Sequence, residues 1–159
     1  MISEPKCGWC NFKLGNFFGH PSGYMTSVVT DLLDAFILFY KNGIGEAVFD
    51  EEGSYFTILL KQWNDVYIIE EKEKSTLFDF SEFNINDLAQ ELISDIENDF
   101  DNWIKFTEEE CGDQFSRVHI YNKIYELKEL VRRKALWKLI SRKMDADGLG
   151  MRLVIDAGR

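Results

Sequence analysis

The first chemistry on offer is CGWC, which places Cys7 and Cys10 two residues apart near the start of the chain. A pair at this spacing serves either dithiol redox or metal binding. Redox use needs a βαβ unit with the first cysteine at a helix N-terminus, where the thiol pKa falls. Here a strand or coil follows the pair, and no parallel βαβ pattern lies nearby. Zinc needs four ligands, usually two such pairs or one pair and two histidines. The chain offers only Cys111, His20 and His119 beyond the pair, at irregular spacing. A composite site of Cys7, Cys10, His20 and one other ligand can be drawn, but the spacing does not call for it. Asp145, Ala146, Asp147 and Gly148 begin like a calcium loop, without the later acidic ligands such a loop requires. His20 lies in a loop before Pro21, and His119 lies within a helical run. The carboxylates of DIENDFD would spread around a helix and resemble a solvated face more than a catalytic dyad. There is no glycine-rich phosphate loop, no G-x-S-x-G and no H-E-x-x-H. The expectation is a protein that is not an enzyme and carries no cofactor or metal, with thiols that do no chemistry.

Charge is more informative. The formal net charge of -10 is unevenly spread: residues 46–113 carry -16 and residues 114–159 carry +6. A segment at -16 repels nucleic-acid phosphates and anionic lipid and attracts basic partners. No apolar run approaches the roughly 18–20 residues needed to cross a bilayer, and no signal-peptide pattern opens the chain. Three cysteines form no disulfide framework. The expected location is the cytoplasm, with neither nucleic acid nor membrane as partner.

The elements that would carry these residues follow from periodicity. A chain of 159 residues with 45% apolar and 14% aromatic content is expected to fold as one domain over 1–159, with 1–10 and 145–159 as flexible tails. Residues 11–18 read as a first strand. Leu32, Leu33, Phe36, Ile37 and Tyr40 recur at helical spacing and Asn42-Gly43 is a stop, so a helix is expected over about 28–42. Runs at 46–50, 55–63 and 66–71, parted by Gly, Asn and Asp, read as an antiparallel meander. Residues 76–83 add a strand or a connection. Asn84 or Asn86 would cap a long helix over 86–106. Its apolar face holds Leu88, Leu92, Ile96, Phe100 and Trp103, and its opposite face Asp87, Glu91 and Asp95. After a break at 107–113, a second long helix runs over about 115–143, with Val118, Tyr121, Ile124, Leu127, Val131, Leu136 and Ile140 as its apolar positions. The fold class is α+β: a small antiparallel sheet of three to five strands covered by about three helices, the last two long. Its free edge leaves a monomer or a weak homodimer as the expected state.

In order and style, PSGYMTSVVTDLLDAF, AVFDEEGSYFTILL and VYIIEEKEKSTLFDF, followed by an acidic helix ending in DNW, resemble the small acidic immunity proteins of bacterial polymorphic toxin systems, including contact-dependent growth inhibition. The resemblance covers roughly residues 22–106. It implies a cytoplasmic protein, not an enzyme, that binds a cognate toxin C-terminal domain tightly and blocks its active site or a nearby exosite. These families share no functional residues, so none is carried over. The residues point the same way, since many toxins are nucleases with basic grooves that an acidic surface complements. Two candidate contact regions follow. One is the helix face with Asp87, Glu91, Asp95 and Asp101, continued by Glu108, Glu109 and Glu110. The other is the hairpin at Asp50, Glu51 and Glu52. The alternatives are another acidic interaction or inhibitor module and, behind it, a zinc- or thiol-dependent protein.

Overall fold

The structure, a computed structural model, describes residues 1–23, 26–111 and 116–146; residues 107–111, 116 and 137–146 are described in backbone only. The fold is α+β, with two antiparallel sheets and four helices in place of the one sheet expected. The first sheet is β1 (Ile2–Lys6), β2 (Trp9–Leu14) and β3 (Phe17–Gly19). The first ten residues are therefore two paired strands and not a tail. The run expected as one strand over 11–18 is split by a turn at Gly15-Asn16, because Leu14 pairs with Phe17.

Helix α1 (Val28–Asn42) follows, and Gly43 ends it with its N–H bonded to the Phe39 carbonyl at 2.8 Å. Val28, Leu32, Leu33, Phe36 and Phe39 face the core, as their spacing requires. The second sheet is a four-stranded meander of β4 (Ile44–Asp50), β5 (Tyr55–Lys61), β6 (Asp65–Glu71) and β7 (Ser75–Asp79). One of its faces lies under α1. The approach is close enough that a Cβ at Gly45 would stand 1.8 Å from the Ala35 carbonyl oxygen.

The two sheets meet through aromatic rings. Phe12 of β2 packs against Phe49 and Phe56 of the meander, with centroids 6.2 and 5.1 Å away, and Phe17 lies 5.1 Å from Phe56. Buried aromatics of this size each stabilise the fold by about 1.5–3 kcal/mol. A strap at Pro21–Gly23 joins the sheets: Ser22 N–H donates to the Asp50 carbonyl at 2.7 Å and Gly23 N–H to the Gly8 carbonyl at 2.7 Å.

The acidic helix expected over 86–106 is two helices, α2 (Ile85–Asn98) and α3 (Phe100–Cys111). Asn84 caps α2 by accepting the Asn86 N–H at 2.8 Å. At Asp99 the chain leaves helical geometry, and the Asp99 carbonyl accepts the N–H groups of Asn102 and Trp103, which starts α3. Helix α4 (Ser116–Ala146) buries one stripe, Ile120, Ile124, Leu127 and Val131, largely against α1. Val118, Tyr121 and Leu136, expected on that stripe, are exposed. No helix among the described residues is long and apolar enough to cross a membrane. The residues from 147 on, including half of the calcium-like run and most of the expected C-terminal tail, lie outside the described residues.

Candidate functional site

The CGWC run is a hairpin. Lys6 pairs with Trp9, which leaves Cys7 and Gly8 as a two-residue turn with φ of 52° and 74°. Paired positive φ values are what a tight β-hairpin demands. The turn exposes Cys7 and turns Cys10 into the core, where its Sγ lies 3.9 Å from the Pro21 carbonyl. Both positions thus have a structural account. Among the described residues, no three His, Cys, Asp or Glu side chains are grouped to hold a metal ion.

The expected acidic helix face is drawn on largely by the protein itself. Glu91 and Asp95 both meet the buried α-ammonium of Met1, Asp95 at 2.6 Å, and Asp95 also accepts the Ile2 N–H at 3.0 Å. Asp101 is bound by Arg117 of α4 at 2.7 Å, and that guanidinium lies over the Phe100 ring. Asp87 is exposed in the first turn of α2, where a negative charge suits the helix dipole. Burial, and then the charge of Asp87, push the Tyr40 phenol well above its ordinary range, and that phenol donates to Asn86 Oδ1 at 2.6 Å. Glu108, Glu109 and Glu110 fall on α3, with side chains outside the described residues.

The basic helix α4 completes this internal pairing. Lys123 binds Asp34, Lys128 binds Glu97 at 2.6 Å, and Glu126 of α4 binds Lys41 of α1 at 2.5 Å. Exposed pairs of this kind contribute about 0–1 kcal/mol each. Their larger effect is to neutralise acids on the helical side of the molecule. A hollow of about 540 Å³ between α2, α3 and α4 is lined by Phe100, Val118, Tyr121 and Ile124, with Arg117 at its edge.

The hairpin acids divide in role. Glu51 accepts the His20 N–H at 2.6 Å and the Ser54 hydroxyl at 3.1 Å, so it ties the β4–β5 turn to the end of β3. Glu52 points into solvent, and its N–H donates to Asp50 Oδ1 at 2.6 Å. Asp50 itself is buried.

The meander's outer face carries a third group that sequence reasoning missed. The register aligns Glu46, Leu59, Tyr67 and Asp79 in one row across all four strands. The next row is Val48, Thr57, Ile69 and Leu77. Val48 is 47% and Leu77 64% exposed. Among the described residues Glu46, Asp65, Glu71 and Asp79 have no side-chain ion pair. Hydrogen bonds from the Ser81 hydroxyl and N–H hold Asp79 below the usual carboxylate range. The signal available in the sequence was strand alternation, which places these residues on one side once the inner face is known.

Trp63 stands at the tip of the β5–β6 turn, 93% exposed. It and Asn64 both have φ of 72°. Asn64 fits that geometry and anchors it: its Oδ1 accepts the Ile85 N–H at 2.8 Å, and its Nδ2 donates to the Ser81 and Phe83 carbonyls. A bulky residue there is an outlier.

Compared with protein-family models, with curated proteins and with solved structures, the chain has no match.

Proposed function

We propose that this is a binding protein that neutralises a basic partner, specifically an immunity protein acting in the cytoplasm on a cognate toxin C-terminal domain, with a nuclease as the expected target. The observation that carries the reading is Glu46, Glu71 and Asp79 of the meander, exposed and without an ion pair among the described residues beside an apolar sheet face, while Glu91, Asp95, Glu97 and Asp101 of the helices are matched within the fold. Acidic groups around an apolar centre capture a cationic groove quickly and then hold it by desolvated contacts. The order of elements supports the same reading through its likeness to immunity proteins.

The test is co-expression with the toxin domain encoded beside this gene, together with calorimetry on the purified pair. The expected result is restored growth and a complex of nanomolar or tighter affinity. Growth arrest despite co-expression, with no binding at micromolar concentration, would refute the proposal. Tight binding to a different basic protein would support the alternative of a more general acidic inhibitor.

A further inference from the structure

Three observations converge on one surface. The first is the outer face of the meander. Phe49, Ile58, Leu60 and Ile68 turn inward and are buried, and alternation sends their neighbours to the other side. On that side Val48, Leu59, Tyr67, Ile69 and Leu77 form a continuous apolar centre by register. The second is charge. Glu46 and Asp79 stand at opposite ends of one row, Glu71 lies opposite Tyr55, and Asp65 lies opposite Lys61, the one cation the register places on this face among the described residues. An apolar centre with an acidic rim is the anatomy of an interface, and its sign fits a cationic partner. A second copy would bring the same acids against themselves.

The third observation is Trp63. It follows the row of Ile44, Lys61 and Asp65 at the end of the sheet, beside a hollow of about 400 Å³ lined by Asn42, Gly43 and Gln62. The fold gains almost nothing from an indole that is 93% exposed, yet holds it at φ of 72°. Strain of this kind persists where function uses it, and tryptophan is the residue most enriched among binding hot spots.

Resting on the binding function proposed above, we infer that the outer face of the four-stranded sheet, with Trp63 at its end, is the docking surface for a cationic protein. Basic side chains of the partner meet Glu46, Asp65, Glu71 and Asp79. An apolar cleft in the partner receives the Trp63 indole. The acidic face of α2 is not the contact.

The experiment places a photo-crosslinking benzoylphenylalanine at position 63, and in a second variant at position 87, in the full chain in cells that make it with its native neighbours. Position 63 is expected to yield one discrete adduct, with a partner that mass spectrometry identifies as a protein of net positive charge, and position 87 none. Adding Glu46→Lys and Asp79→Lys should cut the yield at least ~10-fold. With the identified partner, Trp63→Gly should weaken binding by ~30-fold or more, the scale of a hot-spot loss, without lowering the melting temperature. No adduct at 63, an equal adduct at 87, an adduct of twice the chain mass or a crosslink within the chain would each overturn the inference. The two readings fail separately. A cationic partner at 63 that is no toxin keeps the surface and removes the toxin. A toxin domain crosslinked only at 87 does the reverse.

Discussion

Replacing Trp63 by glycine and by alanine should give an inverted order of stability, and the inversion measures the strain in the β5–β6 turn. At φ of 72°, a residue with a Cβ is destabilised by about 1–2 kcal/mol relative to one without. Glycine loses about 0.5–1 kcal/mol more conformational freedom on folding than alanine. The difference leaves the Trp63→Gly protein more stable than the Trp63→Ala protein by about 0.5–1 kcal/mol, the opposite of the order in an ordinary strand. Loss of the indole itself matters little. At 93% exposure only about 15 Å² of a roughly 200 Å² side chain is covered, about 0.4 kcal/mol. The wild type should therefore lie within about 1 kcal/mol of the glycine variant. A core tryptophan such as Trp103, fully buried, would cost about 3–5 kcal/mol on truncation. Urea unfolding at a slope of about 2 kcal/mol/M separates the glycine and alanine variants by about 0.3–0.5 M in midpoint. An alanine variant more stable than the glycine variant by about 0.5–1 kcal/mol, the ordinary order, would show that the turn holds no strain. A glycine variant that loses more than about 2 kcal/mol would show that the indole is part of the fold.

Gly45→Ala places a Cβ 1.8 Å from the Ala35 carbonyl oxygen, so α1 must back off the sheet; a loss of about 3 kcal/mol or more is expected by calorimetry, and a near-neutral result would refute the close packing of α1 on β4. Asp95→Ala removes an acceptor from both the Met1 ammonium and the Ile2 N–H and should cost about 1.5–3 kcal/mol, whereas Asp87→Ala should change the unfolding midpoint hardly at all. Tyr40 has a raised pKa in the fold, so its contribution is fully present below the unfolded value near 10 and declines as pH rises beyond it; stability should fall above about pH 10 with a gentler slope in Tyr40→Phe, and equal slopes would refute the assignment. For association with the proposed cationic partner, Glu46→Lys with Asp79→Lys should slow capture and flatten its salt dependence, while Asp87→Lys should do neither in stopped-flow measurements; the converse pattern would return the interface to α2.

Where local spacing was enough, the fold was legible. Helix α1 announces itself through Leu32, Leu33 and Phe36 and stops at Asn42-Gly43, and the meander through β-branched runs parted by turn residues. The first sheet was hidden because its turns are short. Cys7-Gly8 invites a chemical reading before a conformational one, and Gly15-Asn16 sits inside an aromatic run that looks continuous. The break at Asp99 was hidden for a different reason. Ile96, Phe100 and Trp103 keep helical spacing across it, and an interruption at a single residue leaves that pattern in the sequence intact. The site was legible only as charge. Nothing local says that Glu91 and Asp95 meet an amine 90 and 94 residues away, or that Arg117 and Lys128 take up Asp101 and Glu97.

That redistribution changes what the charge of the central segment means. Read along the chain, -16 over residues 46–113 is one acidic block. In the fold it divides between two sides with different electrostatics. On the helical side, cations of α4 and the Met1 amine lie within ion-pair distance of Glu91, Asp95, Glu97 and Asp101, so these opposite charges offset one another over a few ångströms and project less field into solvent. On the sheet side, Glu46, Glu71 and Asp79 meet no such cations among the described residues, and their charges add. At physiological salt, a field reaches about 8 Å before screening removes most of it. Only uncancelled groups on one open face can steer a partner over that range. The same face offers the exposed apolar area of Val48 and Leu77, which α2 lacks because its apolar stripe of Leu88, Leu92 and Ile96 is already buried. Steering charge and unspent apolar surface therefore coincide on the meander, and that coincidence separates a docking surface from a merely solvated one.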